Sequence, residues 1–309
     1  MKIVFAGTPA VAVPSLDAIA SSGHDIVAVV TRPDAPLGRK RVLTPSPVGL
    51  RAEELGLPVL KAARADDELT DAIARLAPDL GVVVAYGALL RQPLLDTPRL
   101  GWINLHFSLL PRWRGAAPVQ HAVIAGDTVT GASVFQLEAG LDTGPVFGTI
   151  EQPIAPHATS GKLLETLSHS GSELLLSVVD ALADGSATAV AQVGEVTLAP
   201  KLGIVDAAID AGRSAAEVSG RIRGTTPEPG AFVTIDGLRL KLLDAAIALD
   251  APRIEPYVIE SHGGRLLLGT ATDPIELTSV HPAGKRPMPA LDWWRGRGDR
   301  GPVRVDSPS

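Results

Sequence analysis

Three polar side chains in the middle of the chain have the types and spacing that acyl transfer to an amine requires. Asn104 and His106 are two residues apart in a short apolar run, and Asp142 follows in a glycine-rich turn. In an extended strand, residues two apart project from the same face. An amide N–H can stabilise an oxyanion, an imidazole can move a proton, and a carboxylate can balance the charge of the imidazole.

Each of these residues also has a purely structural interpretation. Asn104 and His106 fit a hydrogen-bonded polar pair at a strand end, and Asp142, between Gly140 and Gly144, fits an ordinary turn. Direct attack by a substrate amine needs no serine or cysteine nucleophile, and a model α-amino group titrates near roughly 8, so neutral amine is available at physiological pH. The joint fit of the three groups therefore favours amine acylation.

The elements around these residues alternate between short apolar runs and amphipathic segments. We predict strands at residues 2–6, 26–30, 58–60, 80–85, 102–106, 133–137 and 146–150, and helices at 14–20, 47–55, 67–76 and 159–183. This alternation predicts a Rossmann-like α/β fold with a mainly parallel sheet covered on both faces. The first turn lacks the G-x-G-x-x-G fingerprint, so a dinucleotide is not indicated. Such sheets bind ligands at the carboxyl ends of their strands, where Asn104 and His106 would lie.

The last third of the chain has a different pattern of apolar and polar residues. Short alternating segments are separated by turns such as Asp236-Gly237 and Gly263-Gly264, which predict a small antiparallel sheet or β-barrel. We therefore expect a catalytic domain at residues 1–187, a linker at 188–207 and a C-terminal β-barrel domain at 208–309.

Composition limits the remaining classes of protein. A chain of 309 residues with 45% hydrophobic and 20% charged residues fits two globular domains. The chain has no cysteine, which excludes disulfides and thiolate zinc sites, and its seven histidines are dispersed, so we expect no metal. The sequence shows no signal peptide and no apolar stretch of membrane-spanning length, so we expect a cytoplasmic protein that does not bind membranes.

Two segments are basic although the net charge is −6. One contains Arg39, Lys40 and Arg41, and the other begins with Lys285 and Arg286 near the end of the chain. Charge alone is compatible with solvated surface segments and with contacts to nucleic acid.

Four motifs resemble the signature of the 10-formyltetrahydrofolate-dependent formyltransferases. They are Asn104-Leu-His106, Ser108-Leu-Leu-Pro111, Arg114-Gly-Ala-Ala-Pro118 and Leu141-Asp142-Thr-Gly144. The resemblance implies the formyltransferase fold, with the substrate amine attacking the formyl carbon carried on folate N10. It also implies that Asn104 binds the oxyanion, that His106 assists proton transfer, and that Asp142 orients His106 and a water. The implied folate contacts are Ser108, Leu109, Leu110, Pro111, Tyr86 and Gly87.

Within this family, two regions resemble the branch that acts on methionyl-initiator tRNA. The basic loop at 31–42 is one, and the C-terminal region, which resembles an oligonucleotide-binding (OB-like) barrel, is the other. The resemblance implies tRNA contacts by Arg39, Lys40, Arg41, Lys285 and Arg286, and we expect a monomer. Formylation of a nucleotide-linked sugar amine is the alternative within the family. A catalytically idle RNA-binding module and a nucleotide-dependent oxidoreductase are less consistent with the residues.

One residue beside the motif departs from the family pattern. The family commonly has glycine after the catalytic histidine, whereas this chain has Phe107. A phenylalanine at this position could narrow or redirect the site.

Overall fold

The computed structural model describes residues 1–38, 41–298 and 301–308, which divide into two compact units. The first unit comprises Met1–Pro118, Val129–Pro153 and Leu164–Ala199. The second comprises Val119–Thr128, Ile154–Leu163 and the chain from Pro200 onward. Residues 188–199, which we expected in a linker, thus group with the first unit.

The first unit is built on a seven-stranded sheet. Before the second unit's own sheet, the described residues form the strands β1 (Lys2–Gly7), β2 (Asp25–Thr31), β3 (Ala35–Leu37), β4 (Val42–Thr44), β5 (Val59–Lys61), β6 (Leu80–Val84), β7 (Trp102–His106), β8 (Val129–Gln136) and β9 (Val146–Pro153). The sheet order is β5-β2-β1-β6-β7-β8-β9, and β3 and β4 form a separate hairpin. In this order, the first five strands (β5, β2, β1, β6 and β7) run parallel to one another, whereas β8 and β9 pair antiparallel. The mainly parallel sheet is therefore confirmed.

α-Helices accompany these strands in the part of the chain that the structure describes. They are α1 (Val13–Ala20), α2 (Pro47–Glu54), α3 (Asp67–Leu76), α4 (Gln92–Leu95), α5 (Pro118–Ala125) and α6 (Ser160–Asp184). Helices α2 and α3 begin at side-chain caps, where Ser46 accepts from the N–H of Gly49 at 2.9 Å and Asp66 accepts from that of Leu69 at 3.1 Å. Such caps satisfy N–H groups that the first turn leaves free, so these boundaries are encoded locally.

A close approach between β6 and β7 fixes the strand that carries the polar pair. A Cβ on Gly81 would overlap the indole of Trp102, which lies at the start of β7. The indole N–H of Trp102 donates to the carbonyl of Leu94 at 2.8 Å and is buried. The beginning of β7 is therefore held by packing and by a buried hydrogen bond.

The second unit contains an antiparallel sheet. Its elements are α7 (Ala215–Gly224), β10 (Phe232–Ile235), β11 (Leu238–Ile247), β12 (Val258–His262), β13 (Arg265–Leu268), β14 (Ile275–Pro282), β15 (Met288–Pro289), α8 (Ala290–Arg295) and β16 (Val303–Arg304). The sheet order is β10-β11-β14-β13-β12-β16, with β15 beside β14. Asp306, just after β16, donates its N–H to the carbonyl of Thr234 in β10 at 2.9 Å. This bond links the two edges of the sheet, as expected for a small barrel.

The two turns named from the sequence lie where they were predicted. Asp236 and Gly237 join β10 to β11 with φ of 52° and 76°, and Gly263 and Gly264 join β12 to β13 with φ of 58° and 78°. Two successive residues with positive φ match the right-handed twist of a hairpin, which explains the Asp-Gly and Gly-Gly pairs.

Candidate active site

Strand β7 places Asn104 and His106 at its carboxyl end. Asn104 pairs with Val83 of β6 and with Phe135 of β8, and His106 pairs with Ser133 of β8. The side chain of His106 is only 6% exposed, and its ring meets that of Phe135 edge to face. The backbone of Asn104 is thus fixed by strands on both sides, and that of His106 by β8.

The imidazole of His106 is oriented by a main-chain group. Its Nε2 lies 2.9 Å from the carbonyl oxygen of Trp113, which can only accept a hydrogen bond. Nε2 is therefore the donor, and the lone pair of the neutral ring is at Nδ1. The residue type of Trp113 gives no sign of this role, because the contact is made by its carbonyl.

Asp142 faces the other nitrogen of the ring. Its Oδ2 lies 3.8 Å from Nδ1 of His106 and accepts the N–H of Gly115 at 2.7 Å. A separation of 3.8 Å exceeds the length of a hydrogen bond, so the carboxylate acts on the imidazole through its charge. We expected Asp142 to orient the ring; in this geometry the orienting bond comes from Trp113 instead.

Burial lowers the pKa of His106, because a charged imidazolium would lose its hydration in this site. The negative charge of Asp142 and the bond to the Trp113 carbonyl act in the opposite direction. The net direction is downward, so the ring is neutral at physiological pH and Nδ1 can accept a proton.

Asn104 completes the set with an unused polar atom. Its Oδ1 is buried and meets no hydrogen-bond partner among the described residues. Buried side-chain polar atoms are normally paired, so Asn104 has hydrogen-bonding capacity that the described residues do not use. Sequence reasoning thus selected three residues that the structure brings to the same end of β7.

The Ser-Leu-Leu-Pro loop follows β7 directly and is held by hydrogen bonds of Ser108. Ser108 is fully buried and donates to the carbonyl of Arg112 at 2.6 Å, while its own carbonyl accepts from Ser133 at 2.7 Å. Leu109 lies over Gly131, where a Cβ would come within 2.6 Å of its side chain. Leu110 and Pro111, joined by a cis peptide bond, complete the loop.

Tyr86 and Gly87, also expected at the folate, lie just after β6. The side chain of Tyr86 is 2% exposed and packs in the core, where its hydroxyl donates to the carbonyl of Ala62 at 3.1 Å. Gly87 is exposed with φ of 83°, and its carbonyl accepts a bond of 3.4 Å from Arg32. At these two positions the exposed surface is therefore that of Gly87 rather than of the tyrosine ring.

The five basic residues expected to contact tRNA are described only in part. Arg39 and Lys40 lie outside the described residues. Arg41 is exposed at the tip of the β3–β4 hairpin, with φ of 49°. Lys285 and Arg286 are exposed in the turn that follows β14 in the second unit.

Phe107 does not enter the site, so the expectation that it narrows the site is corrected. Its side chain is 6% exposed, and its Cε1 lies 3.6 Å from the position of a Cβ on Gly171 of α6. Leu105 reaches the same glycine. Since side chains alternate along a strand, Leu105 and Phe107 cover the face opposite to Asn104 and His106.

The described residues contain neither a cluster of metal-binding side chains nor a helix that could span a membrane. Histidine, aspartate and glutamate side chains do not assemble there into any group of three or more that could hold a metal ion. Within the same residues, no helix combines the length and apolar character that crossing a membrane requires.

Comparison with known proteins gives matches along the chain. A family model described as formyl transferase matches residues 1–179, and one described as formyl transferase, C-terminal domain, matches residues 201–298. The methionyl-tRNA formyltransferase of Clavibacter sepedonicus is 59% identical over 296 residues, which cover 96% of this chain and 97% of that protein.

Solved structures share the fold at low identity. The N-formyltransferase from Helicobacter canadensis, in complex with folinic acid and dTDP-3-aminofucose, has a TM-score of 0.68 at 16% identity and covers 90% of this chain and 98% of its own. The methionyl-tRNA formyltransferase from Clostridium thermocellum has a TM-score of 0.58 at 16% identity. The match covers 81% of this chain and 95% of that one.

Proposed function

The chain belongs to the formyl transferase family, and we propose that it transfers the formyl group of 10-formyltetrahydrofolate to the amine of methionyl-initiator tRNA. The observation that carries this proposal is the convergence of Asn104, His106 and Asp142 at the end of β7. The 59% identity to the Clavibacter sepedonicus relative, across nearly the whole of both chains, supports the tRNA acceptor over a sugar amine.

His106 acts as the proton carrier in this reaction. As the amine nitrogen bonds to the formyl carbon, Nδ1 takes up a proton from that nitrogen. The same proton then passes to the departing N10 nitrogen as its bond to the formyl carbon breaks. Asp142 stabilises the transient imidazolium across 3.8 Å, and the Trp113 carbonyl accepts from Nε2 and holds the ring in one orientation throughout.

Asn104 stabilises the charge that develops on the formyl oxygen. A half-turn of its side-chain amide exchanges Oδ1 and Nδ2, so the buried position of the unpaired oxygen can equally present an N–H. Donation from an N–H of Asn104 to the oxyanion would supply the electrostatic stabilisation that this transition state requires.

The remaining parts of the proposal concern substrate binding. The segments Ser108–Pro111 and Tyr86-Gly87 border the folate through the half-buried Leu109 and Leu110 and the exposed Gly87, and the buried Ser108 and Tyr86 support these segments from the core. Arg39, Lys40, Arg41, Lys285 and Arg286 pair with tRNA phosphates, since guanidinium and ammonium groups form charge-assisted bonds to phosphate. The domain from residue 208 serves tRNA binding, and the enzyme works as a monomer in the cytoplasm, where translation begins.

The deciding experiment offers the full chain two acceptors. The protein is incubated with 10-formyltetrahydrofolate and either methionyl-initiator tRNA or a dTDP-linked amino sugar, and products are identified by mass spectrometry. We expect N-formylmethionyl-tRNA and no formylated sugar. Formylation of the sugar alone would overturn the proposal, and so would wild-type activity in His106→Ala.

A further inference from the structure

The segment 188–199 follows α6 and is bound to the active-site loops by its backbone. Val190 and Val146 exchange hydrogen bonds of 2.8 and 2.9 Å. Further along, Arg114 donates to the carbonyl of Thr197 at 2.9 Å and accepts from the N–H of Ala199 at 2.7 Å. We call residues 190–199 the strap. A Cβ on Gly115 would lie 2.6 Å from the Ala199 carbonyl oxygen, so the strap and this loop touch backbone to backbone.

The side chain of Gln192 in the strap bridges two loops of the site. Its Nε2 donates to the carbonyls of Asp142 and Gly144, both at 2.8 Å. Its Oε1 accepts from Arg114, at 2.6 Å from Nη2 and 3.2 Å from Nε. Only an uncharged amide can donate to two carbonyls and accept from a guanidinium at the same time.

Thr197, five residues further along the strap, reaches the residue that orients His106. Its Oγ1 accepts the N–H of Trp113 at 2.8 Å. Trp113 has a positive φ of 60°, a conformation that is uncommon for a bulky side chain and needs support from its surroundings. The hydroxyl of Thr197 supplies such support at the peptide group next to the carbonyl that binds His106.

We propose that Gln192 and Thr197 are positioning residues of the active site, Gln192 for the carboxylate of Asp142 and Thr197 for the imidazole of His106. The strap then positions residues of the active site in addition to connecting α6 to the following chain. Neither side chain touches the reacting groups, since each acts through a main-chain group of the residue it holds. The expected changes in kcat rest on the proposed function. The expected change in the pKa of His106 can be measured without turnover.

The first test changes Gln192 in two ways. Gln192→Met keeps the length of the side chain and removes all its hydrogen bonds. Gln192→Glu keeps an acceptor for Arg114 but cannot donate to the carbonyls of Asp142 and Gly144. In both variants we expect kcat to fall roughly ten- to hundredfold, with the KM for the folate within about twofold of wild type, as for a small misplacement of a reacting group. Wild-type kcat in Gln192→Glu would overturn the assigned role.

The control for these variants is Glu195→Gln, an isosteric exchange at an exposed position of the same strap. We expect it to leave kcat and KM unchanged. Thermal unfolding of all three variants separates a catalytic effect from a folding defect. A fall in kcat that is matched by loss of the folded fraction contradicts the proposal.

The second test uses a matched pair at Thr197. Thr197→Val keeps the branched shape and removes the acceptor for the Trp113 N–H, whereas Thr197→Ser keeps the hydroxyl. We expect kcat to fall in Thr197→Val and to be retained in Thr197→Ser. Equal activity in the two variants, at either level, contradicts the role of the hydroxyl.

An NMR titration of His106 tests the geometry without any substrate. The negative charge of Asp142 raises the pKa of His106 against the lowering effect of burial, so releasing the Asp142 loop in Gln192→Met should lower that pKa further. The resonance is assigned by its loss in His106→Ala. An unchanged titration in Gln192→Met refutes the positioning role whatever the acceptor is, whereas failure to formylate tRNA by the wild-type protein refutes only the proposed function.

Discussion

His106 has two neighbours that act on different ring nitrogens. The carbonyl of Trp113 fixes Nε2 as a donor, which leaves Nδ1 as the atom that can take up a proton beside Asp142. In the proposed reaction, orientation and charge stabilisation thus come from separate groups. Replacing the carboxylate should therefore change the energetics of proton transfer more than the position of the ring.

We expect His106→Ala to lower the single-turnover rate by about 10²- to 10⁴-fold, because the reaction loses its proton carrier. Asp142→Asn should lower the rate to a smaller extent, since the ring stays bound to the Trp113 carbonyl. The rates are measured at saturating folate and tRNA. His169→Ala, at an exposed position of α6, is the matched control. A larger loss in Asp142→Asn than in His106→Ala would contradict this division of roles.

The pH dependence of kcat reports the state of Nδ1. Because burial lowers the pKa of His106, the acid limb of the profile should lie below about 6.5, the ordinary histidine value. The rate falls as pH falls through this pKa, since protonation occupies Nδ1. Asp142→Asn removes a charge that raises the pKa, so the limb should move to still lower pH. A shift to higher pH would show that the carboxylate does not face the charged form of the ring.

Residue types and spacing predicted that Asn104, His106 and Asp142 act together, and the structure brings them to one end of β7, whereas their catalytic roles stay a prediction. Residue types and spacing could not predict Trp113, Gln192 and Thr197, whose contributions depend on main-chain groups brought together from distant segments. A carbonyl at position 113 is chemically the same as any other carbonyl. Only the fold shows which one meets an imidazole.

At the scale of elements, β7 serves the site with one face and the core with the other. Leu105 and Phe107 fill the side facing Gly171 of α6, where a Cβ would lie 3.2 Å from both methyl carbons of Leu105. Glycine in the middle of a long helix is unfavourable by itself, and here it lets the helix approach the strand. The position of β7 relative to α6 therefore depends on this packing.

Phe107→Ala should lower the free energy of unfolding by about 3–5 kcal/mol, the usual cost of emptying a buried phenylalanine site. The folate KM should change little, because the ring lies on the face opposite to His106. Denaturant unfolding and steady-state kinetics measure the two effects. Phe107→Leu, which retains most of the buried volume, is the control and should lose less stability. A large rise in folate KM with unchanged stability would show that the ring does line the site.

The sequence pattern predicted the long elements and the short strand β5, but it did not predict β3, β4 and α4. Helix α6, predicted at 159–183, runs from Ser160 to Asp184, because many turns contribute to its apolar stripe. The hairpin of β3 and β4 has three residues in each strand, and α4 has four residues, so no period can be read in them. The pairing of β16 with β12 depends on a fold that brings the chain end back.

At the scale of the whole molecule, charge is distributed unevenly between segments. The chain carries a net charge of −6, yet exposed basic residues lie at Arg41 in the first unit and at Lys285 and Arg286 in the second. A net negative charge disfavours non-specific binding to nucleic acid, so we expect the affinity for tRNA to come from local basic segments. The barrel architecture followed from the turns and alternation, but its closure by Asp306 did not, because a single bond between chain-distant residues has no sequence pattern.

Removing the basic pair of the second unit tests its role in binding. For Lys285→Ala combined with Arg286→Ala we expect a higher KM for methionyl-tRNA and a salt dependence of log K that is less steep by about one unit per lost phosphate contact. The folate KM should be unaffected. Filter binding of the tRNA from low to moderate salt measures the slope, and Arg253→Ala, at an exposed arginine of the same unit, is the control. An unchanged slope in the double variant with a reduced slope in the control would place the tRNA on a different surface of this unit.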